Sequence, residues 1–160
     1  MSTSHPDRNR NRASLEHSAP SDEPSETAED SRVVEVRVAA EATQLPVMRA
    51  VVGDLAMRAD FDVDTIADLR LAVDEACSSL VRIAAERSPL VGRFRTEDDR
   101  LEFTAEVTSN DPSGPRKNTF SWRVLGALTD SVASSVREPE NRGDGHVVRI
   151  QLSKGRMVHG

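Results

Sequence analysis

A carboxylate and a hydroxyl stand one helical turn apart in the middle of the chain, at Glu75 and Ser79. Apolar residues recur around them with the spacing of an amphipathic helix, at Leu69, Val73, Ala76, Leu80 and Ile83. Because residues four apart share one side of a helix, we expect the Glu75 and Ser79 side chains to be neighbours on a polar face. A carboxylate in this setting can accept a proton or bind a polar ligand, although an ordinary solvated helix face has the same residue types.

The apolar patterns on either side of this helix predict the other secondary-structure elements of the chain. Alternation predicts strands over 33–38, 91–95, 101–108 and 148–152, and helical spacing predicts helices over 44–59, 62–87 and 120–136. We expect Thr43 to cap the first helix and Asp62 or Asp64 to cap the second. A single sheet covered on one face by the helices is the simplest arrangement that buries all of these apolar positions.

Composition excludes several classes of protein. The 160 residues are enough for one domain with a core, and the net charge of −6 argues against a general nucleic-acid binder. The single cysteine, Cys77, cannot form an internal disulfide, and it has no cluster of metal-ligating residues around it. No apolar run is long enough to span a membrane, and the N-terminus has no apolar signal core. The sequence therefore predicts a cytoplasmic protein without a metal site.

Three regions differ in composition. Residues 1–31 are almost free of apolar side chains, so we expect a disordered polar tail that cannot offset its ordering entropy. Residues 32–153 contain all of the predicted elements and form the predicted domain. Residues 154–160 are expected to be a flexible C-terminus.

The segment 67–81 resembles the first nucleotide-binding box of the GHKL ATPase and kinase superfamily, in the form found in RsbW-type anti-sigma factors. In that family a glutamate is the general base, and an asparagine four residues later coordinates Mg²⁺. Here Glu75 matches the glutamate and Ser79 stands at the asparagine position. The resemblance covers roughly 33–152 and implies the GHKL (Bergerat) fold. That fold combines helices and strands (α/β) in a two-layer α+β sandwich. Its mixed sheet of about four strands is covered on one face by three helices.

Other nucleotide-binding motifs of this family are altered. The adenine box, Asp-x-Gly-x-Gly, has Ser109 at its aspartate in an ungapped match, whereas a shifted match uses Asp111, which is otherwise a turn residue. The glycines of the lid motif are absent from 119–122, and His146 replaces a threonine of the last motif. The resemblance makes Mg-ATP a possible ligand. Its candidate contacts are Glu75, Ser79 and Asp111, with Glu75 as the candidate catalytic residue.

The first predicted helix resembles the partner-binding helix of the family. The match places Arg49 at an arginine that contributes to sigma-factor binding, and we expect Leu45 and Met48 to belong to the same partner surface. A planar guanidinium suits carboxylates on an acidic partner, although a solvated surface arginine is equally compatible with the sequence. Apolar residues spread around much of this helix, so it needs contacts on two sides. Core packing together with a homodimer contact would supply them, although burial of the N-terminal turn by the polar tail is a simpler explanation.

These features indicate an anti-sigma factor that sequesters a stress- or sporulation-type alternative sigma factor. A STAS-domain anti-anti-sigma factor would relieve it, and neither nucleic acid nor membrane would be a direct partner. The alternative is an active serine/threonine protein kinase that phosphorylates the anti-anti-sigma factor. The altered motifs favour weak or absent catalysis. A third interpretation is a GHKL-like dimerisation module with some other protein partner.

Overall fold

The computed structural model describes residues 32–141 and 143–156. The predicted polar tail, 1–31, lies outside the described residues, as does the end of the predicted flexible C-terminus, 157–160. The strands are β1 (Val33–Ala39), β2 (Pro89–Thr96), β3 (Arg100–Ser109), β4 (Ser131–Arg137) and β5 (His146–Gly155). The helices are α1 (Leu45–Arg58), α2 (Val63–Ile83) and α3 (Phe120–Leu128), and a 3-10 turn at Ala42–Gln44 precedes α1.

The five strands form one sheet in the order β1-β2-β3-β5-β4, and every neighbouring pair is antiparallel. The two-layer α+β prediction is confirmed. The predicted mixed sheet of about four strands is corrected to an antiparallel sheet of five. Strand β5 also continues to Gly155, beyond the predicted strand end, because Lys154 and Gly155 still pair with β3.

The missed strand is β4, which lies in the region predicted as the end of a helix over 120–136. Helix α3 ends at Leu128, where the Thr129 hydroxyl donates to the Leu125 carbonyl at 2.6 Å. The Asp130 N–H then donates to the Ser153 carbonyl at 2.9 Å, and its carboxylate accepts from the Gly155 N–H at 2.7 Å. Asp130 therefore directs the chain onto β5.

The core lies between the helices and one face of the sheet. The predicted apolar face of α2 is buried, with Leu69, Val73, Ala76 and Leu80 at 0% exposure. Phe94 and Phe103 pack together from neighbouring strands with ring centroids 4.8 Å apart. Alternate residues of β3 are buried and half-buried, so the opposite face of the sheet is more exposed.

The helix ends differ from the predicted ones in two places. Asp62 caps α2 as predicted, accepting from the Thr65 N–H at 3.3 Å, but Thr43 lies within the 3-10 turn and does not cap α1. Helix α2 ends at Ile83 because the next residue is extended and the Ala85 N–H donates to the Thr108 carbonyl at 2.7 Å. None of the helices in the described ranges is long and apolar enough to cross a membrane.

Candidate functional site

A cavity of about 450 Å³ opens where the end of α2, the loop after β3 and the start of α3 meet. Seven of the ten residues that line it are of polar or charged type. The residues that line it are Ser79, Arg82, Ile83, Asp111, Ser113, Gly114, Pro115, Arg116, Thr119 and Ser121. Two of the predicted ligand contacts, Ser79 and Asp111, therefore reach one cavity from different elements.

Glu75 and Ser79 meet a third side chain that α3 brings to them. The Ser121 hydroxyl donates to Glu75 Oε2 at 2.7 Å and lies 3.4 Å from Ser79 Oγ. The Thr119 side chain caps α3 by accepting from the Trp122 N–H at 3.2 Å, which stabilises the first turn of α3, where Ser121 lies. We call Glu75, Ser79 and Ser121 the hydroxyl–carboxylate cluster. In it, the carboxylate accepts from a hydroxyl of its own chain.

Asp111 belongs to a turn that its own carboxylate holds together. Its Oδ1 accepts from the Ser113 N–H at 2.9 Å and from the Ser113 hydroxyl, and its N–H donates to Ser109 Oγ at 3.1 Å. The hydrogen bonds from Ser113 lower the pKa of the Asp111 carboxyl below its ordinary value, with smaller contributions from Arg116 and His146. Asp111 is therefore ionised at neutral pH at the edge of the cavity.

His146 and Gly145 lie at the end of the sheet beside this loop. His146 pairs with the buried Ser109, and its Nδ1 is buried without a hydrogen-bond partner in the described ranges. Gly145 approaches β3 so closely that an added Cβ would lie 2.8 Å from the Ser109 carbonyl oxygen and 2.5 Å from a Thr108 methyl carbon. Only glycine fits there without a shift of the backbone.

Residues 38–122, more than half of the chain, match the family described as the histidine kinase-like ATPase domain. The chain belongs to this family. It is also 39% identical over 116 residues to the anti-sigma-F factor RsbW of Mycobacterium tuberculosis, in the CDC 1551/Oshkosh strain and in the H37Rv strain. Each alignment covers 70% of this chain and 68% of the relative.

Sequence reasoning missed three residues that line this cavity. Ser121 was noticed only as a lid position without glycine, and Arg82 and Arg116 were not singled out as ligand contacts. Arg82 follows Ser79 by three residues on the polar face of α2, so helical spacing alone contained a signal for it. Arg116 lies in a loop, where no periodicity indicates which way a side chain faces.

The predicted partner residues divide between surface and core. Arg49 is exposed on α1, and its guanidinium lies 3.2 Å from the Asp74 carboxylate of α2. Met48 is completely buried and Leu45 is 9% exposed, because both side chains pack into the core. Of the three, only Arg49 offers a side chain to a partner from the surface. Val47, 40% exposed on the same helix, is an apolar neighbour that was not among the predicted partner residues.

Proposed function

We propose that this chain is an anti-sigma factor that binds an alternative sigma factor of the stress or sporulation type and keeps it from RNA polymerase. The observation that carries the proposal is the 39% identity over 116 residues with a relative named as an anti-sigma-F factor. The shared family and the exposed Arg49 on α1 support it. The cytoplasm is the proposed location, since RNA polymerase acts there.

Arg49 is the proposed contact for an acidic group of the sigma factor. Its ion pair with Asp74 is exposed, with 44% and 32% of the two side chains accessible. Such surface pairs contribute at most about 1 kcal/mol, so the guanidinium can accept a second carboxylate at little cost. Asp74 holds the arginine in place, and the fork of the guanidinium supplies further donors for the partner.

We further propose that a STAS-domain anti-anti-sigma factor releases the sigma factor by competition and not by phosphoryl transfer. Glu75 and Ser79 occupy the positions of the family's base and metal ligand, but both lie against Ser121. Mg²⁺ in phosphoryl-transfer sites is held by oxygen ligands together with phosphates, and those ligands include carboxylates, amide oxygens and hydroxyls. The Ser79 side chain is shorter than the asparagine of the family's motif and lies 3.4 Å from Ser121 Oγ, so we propose that it does not hold Mg²⁺ here.

Run-off transcription tests this function directly. Purified chain is titrated into RNA polymerase carrying each alternative sigma factor of the source organism, with the principal sigma factor as the control. Inhibition confined to one alternative sigma factor, and restored by a STAS-domain protein without ATP, is the expected result. If no holoenzyme is inhibited, the anti-sigma function fails, and a dimerisation module with another partner becomes the better interpretation.

The alternative function is a serine/threonine kinase for the antagonist, and one observation favours it. The 2.7 Å hydrogen bond shows that the Glu75 carboxylate is placed to accept from a serine hydroxyl. This function predicts transfer of labelled phosphate from ATP to the antagonist and loss of transfer in Glu75→Ala. Equal inactivity of wild type and Glu75→Ala rules the kinase out.

A homodimer through β1 and α1 is also proposed. β1 is an edge strand of the sheet, with Val34 38% exposed, and Val47 of α1 is 40% exposed. Open strand edges and apolar side chains of this kind favour pairing with a second copy. Light scattering is expected to give twice the mass of one chain for the wild type and the mass of one chain for Val47→Asp. Val63→Asp is the matched control, since Val63 is 81% exposed at the start of α2.

A further inference from the structure

Helices α1 and α2 meet at two contacts that are one helical turn apart. The first is the ion pair between Arg49 and Asp74, with 3.2 Å between Nη1 and Oδ1. In the second, the Arg70 guanidinium lies over Gly53, so a Cβ added to Gly53 would be 2.6 Å from Arg70 Nε and 2.7 Å from Nη2. Gly53 follows Arg49 by four residues and Arg70 precedes Asp74 by four, so the helices are antiparallel here. The two contacts are therefore about 6 Å apart along the helix axes.

The two arginines at these contacts differ in how their charges are compensated. Asp74 neutralises much of the charge of Arg49. Arg70 is exposed, and within 32–141 and 143–156 its guanidinium forms no ion pair with a carboxylate. Two guanidinium groups and one carboxylate leave this small area positive, on a chain whose net charge is −6. The area therefore favours an acidic partner.

Each helix also exposes a large apolar side chain close to Arg70 in the sequence. Met57 follows Gly53 by one turn on α1, and Leu71 follows Arg70 on α2, and each of the two is 56% exposed. Methionine and arginine are enriched in protein interfaces, where apolar contacts surround a few charged groups. These neighbours favour a protein over a small anion as the occupant of the surface.

We propose that Arg70 is a second contact of the sigma-factor surface and binds a carboxylate next to the one that Arg49 binds. The inference rests on the proposed anti-sigma function. Two guanidinium groups one turn apart match Asp or Glu side chains at positions i and i+4 of a partner helix. Each guanidinium can bind its carboxylate through paired N–H donors. Gly53 is a positioning residue, because only glycine leaves the Arg70 guanidinium its place over α1.

Calorimetric titration with the sigma factor that run-off transcription identifies tests the role of Arg70. The full chain is used as wild type, Arg70→Gln and Arg123→Gln. We expect Arg70→Gln to bind about tenfold more weakly or worse, the effect of losing a charge-assisted hydrogen bond. Arg123→Gln is the matched control, because Arg123 is also exposed but lies on α3, and we expect it to bind as the wild type does.

Gly53→Ala separates binding from stability. Alanine is more favourable than glycine inside a helix, and the atoms that the new Cβ would meet belong to the end of the Arg70 side chain, which can move aside. We therefore expect a urea unfolding midpoint at or above that of the wild type, and a sigma-factor affinity between those of wild type and Arg70→Gln. In the Arg70→Gln background, Gly53→Ala has no further effect on affinity, since no guanidinium is left to displace.

Equal affinity of wild type and Arg70→Gln overturns the proposal, and so does an equal loss of affinity in Arg70→Gln and Arg123→Gln. Wild-type affinity in Gly53→Ala overturns the positioning role of Gly53. Arg49→Glu, measured alongside, distinguishes these failures from failure of the anti-sigma function. If Arg49→Glu loses affinity and Arg70→Gln does not, the anti-sigma function stands without Arg70, whereas absence of binding by the wild type excludes both.

Discussion

A hydrogen bond from the Ser121 hydroxyl to the Glu75 carboxylate joins the first turn of α3 to α2. The two residues are 46 positions apart in the sequence. Hydrogen bonds to charged groups contribute about 1.5–3 kcal/mol when well shielded, and less where water reaches them. Because this cluster is half-buried, we expect Ser121→Ala to lower the free energy of unfolding by about 1 kcal/mol. Urea unfolding measures it. Ser135→Ala, at an exposed position of β4, is the control, and equal effects would contradict the assignment.

Cys77 is buried in α2, and burial raises the pKa of its thiol to about 12, with a smaller contribution from Asp74. The thiol is therefore neutral at pH 7–8, and only the thiolate reacts with disulfide reagents. We expect negligible labelling of native protein by a thiol-reactive disulfide and complete labelling in urea. Labelling of the native protein as fast as that of the unfolded chain would show that the thiol is not shielded.

For single residues, the sequence predicted the place of a side chain on its helix better than the side chains that it contacts. Helical spacing placed Glu75 and Ser79 side by side, and both do lie close to Ser121. It could not show that Ser121 is the residue between them, because α3 supplies it from a distant part of the chain. The family resemblance of α1 also placed Met48 on a partner surface, although Met48 is buried, because several apolar residues on α1 share similar spacing and only packing decides which of them are buried.

Among the elements, α2 begins with a cap whose strength depends on pH. Hydrogen bonds from Thr65 lower the pKa of the Asp62 carboxyl below its ordinary value of 3.8. A group with a lowered pKa in the folded state stabilises the fold above its unfolded pKa and loses that effect as the pH falls through the folded value. We expect Asp62→Ala to lower Tm at pH 7 and the difference from wild type to vanish in stronger acid.

Asp62→Asn is the matched control for this cap. Asparagine caps helices about as well as aspartate but does not titrate in this range. Thermal unfolding between pH 7 and pH 2 should therefore show a constant difference in Tm between the asparagine and alanine variants. The difference between wild type and alanine should shrink below pH 3.8. A constant difference between wild type and alanine would mean that the Asp62 charge does not contribute.

Gly145, directly before β5, packs closely against β3, and Gly126 in α3 is a suitable control for it. An alanine at Gly145 would overlap the Ser109 carbonyl oxygen of β3, so we expect Gly145→Ala to destabilise the fold by about 1–3 kcal/mol. Gly126 of α3 has no atom within 4 Å of an added Cβ, and Gly126→Ala should stabilise by about 1 kcal/mol through helix propensity. Equal effects in urea unfolding would contradict the close approach.

The sequence predicted most elements because their apolar spacing is regular. β1, β2, β3 and β5 alternate, and α1 and α2 have helical periodicity. β4 was missed because Leu125, Leu128 and Val132 continue the spacing of α3 across its end. The hydrogen bonds of Asp130 to β5 decide that boundary, and they join residues that are far apart in the chain.

On the scale of the whole molecule, α2 connects the core, the cavity and the proposed partner surface. One face of it packs on the sheet, Asp74 holds Arg49 of α1, and Glu75 meets Ser121 of α3. The resemblance of this segment to the family predicted the two-layer fold and the family membership, but it did not predict the number or the direction of the strands. The arginines of the cavity were not predictable from it, because Arg82 and Arg116 lie outside the matched segment 67–81.

We propose that Arg49 belongs to a surface that binds an alternative sigma factor. Calorimetric titration of that sigma factor into wild type, Arg49→Glu and Arg58→Glu tests it. Arg58 is the control because it is also exposed on α1 and pairs with Asp54 at 2.9 Å. We expect tight binding by wild type and Arg58→Glu, and affinity at least about tenfold lower for Arg49→Glu, because the reversed charge repels an acidic partner. Absence of binding by the wild type, or equal binding by all three proteins, would contradict a sigma-factor surface that contains Arg49.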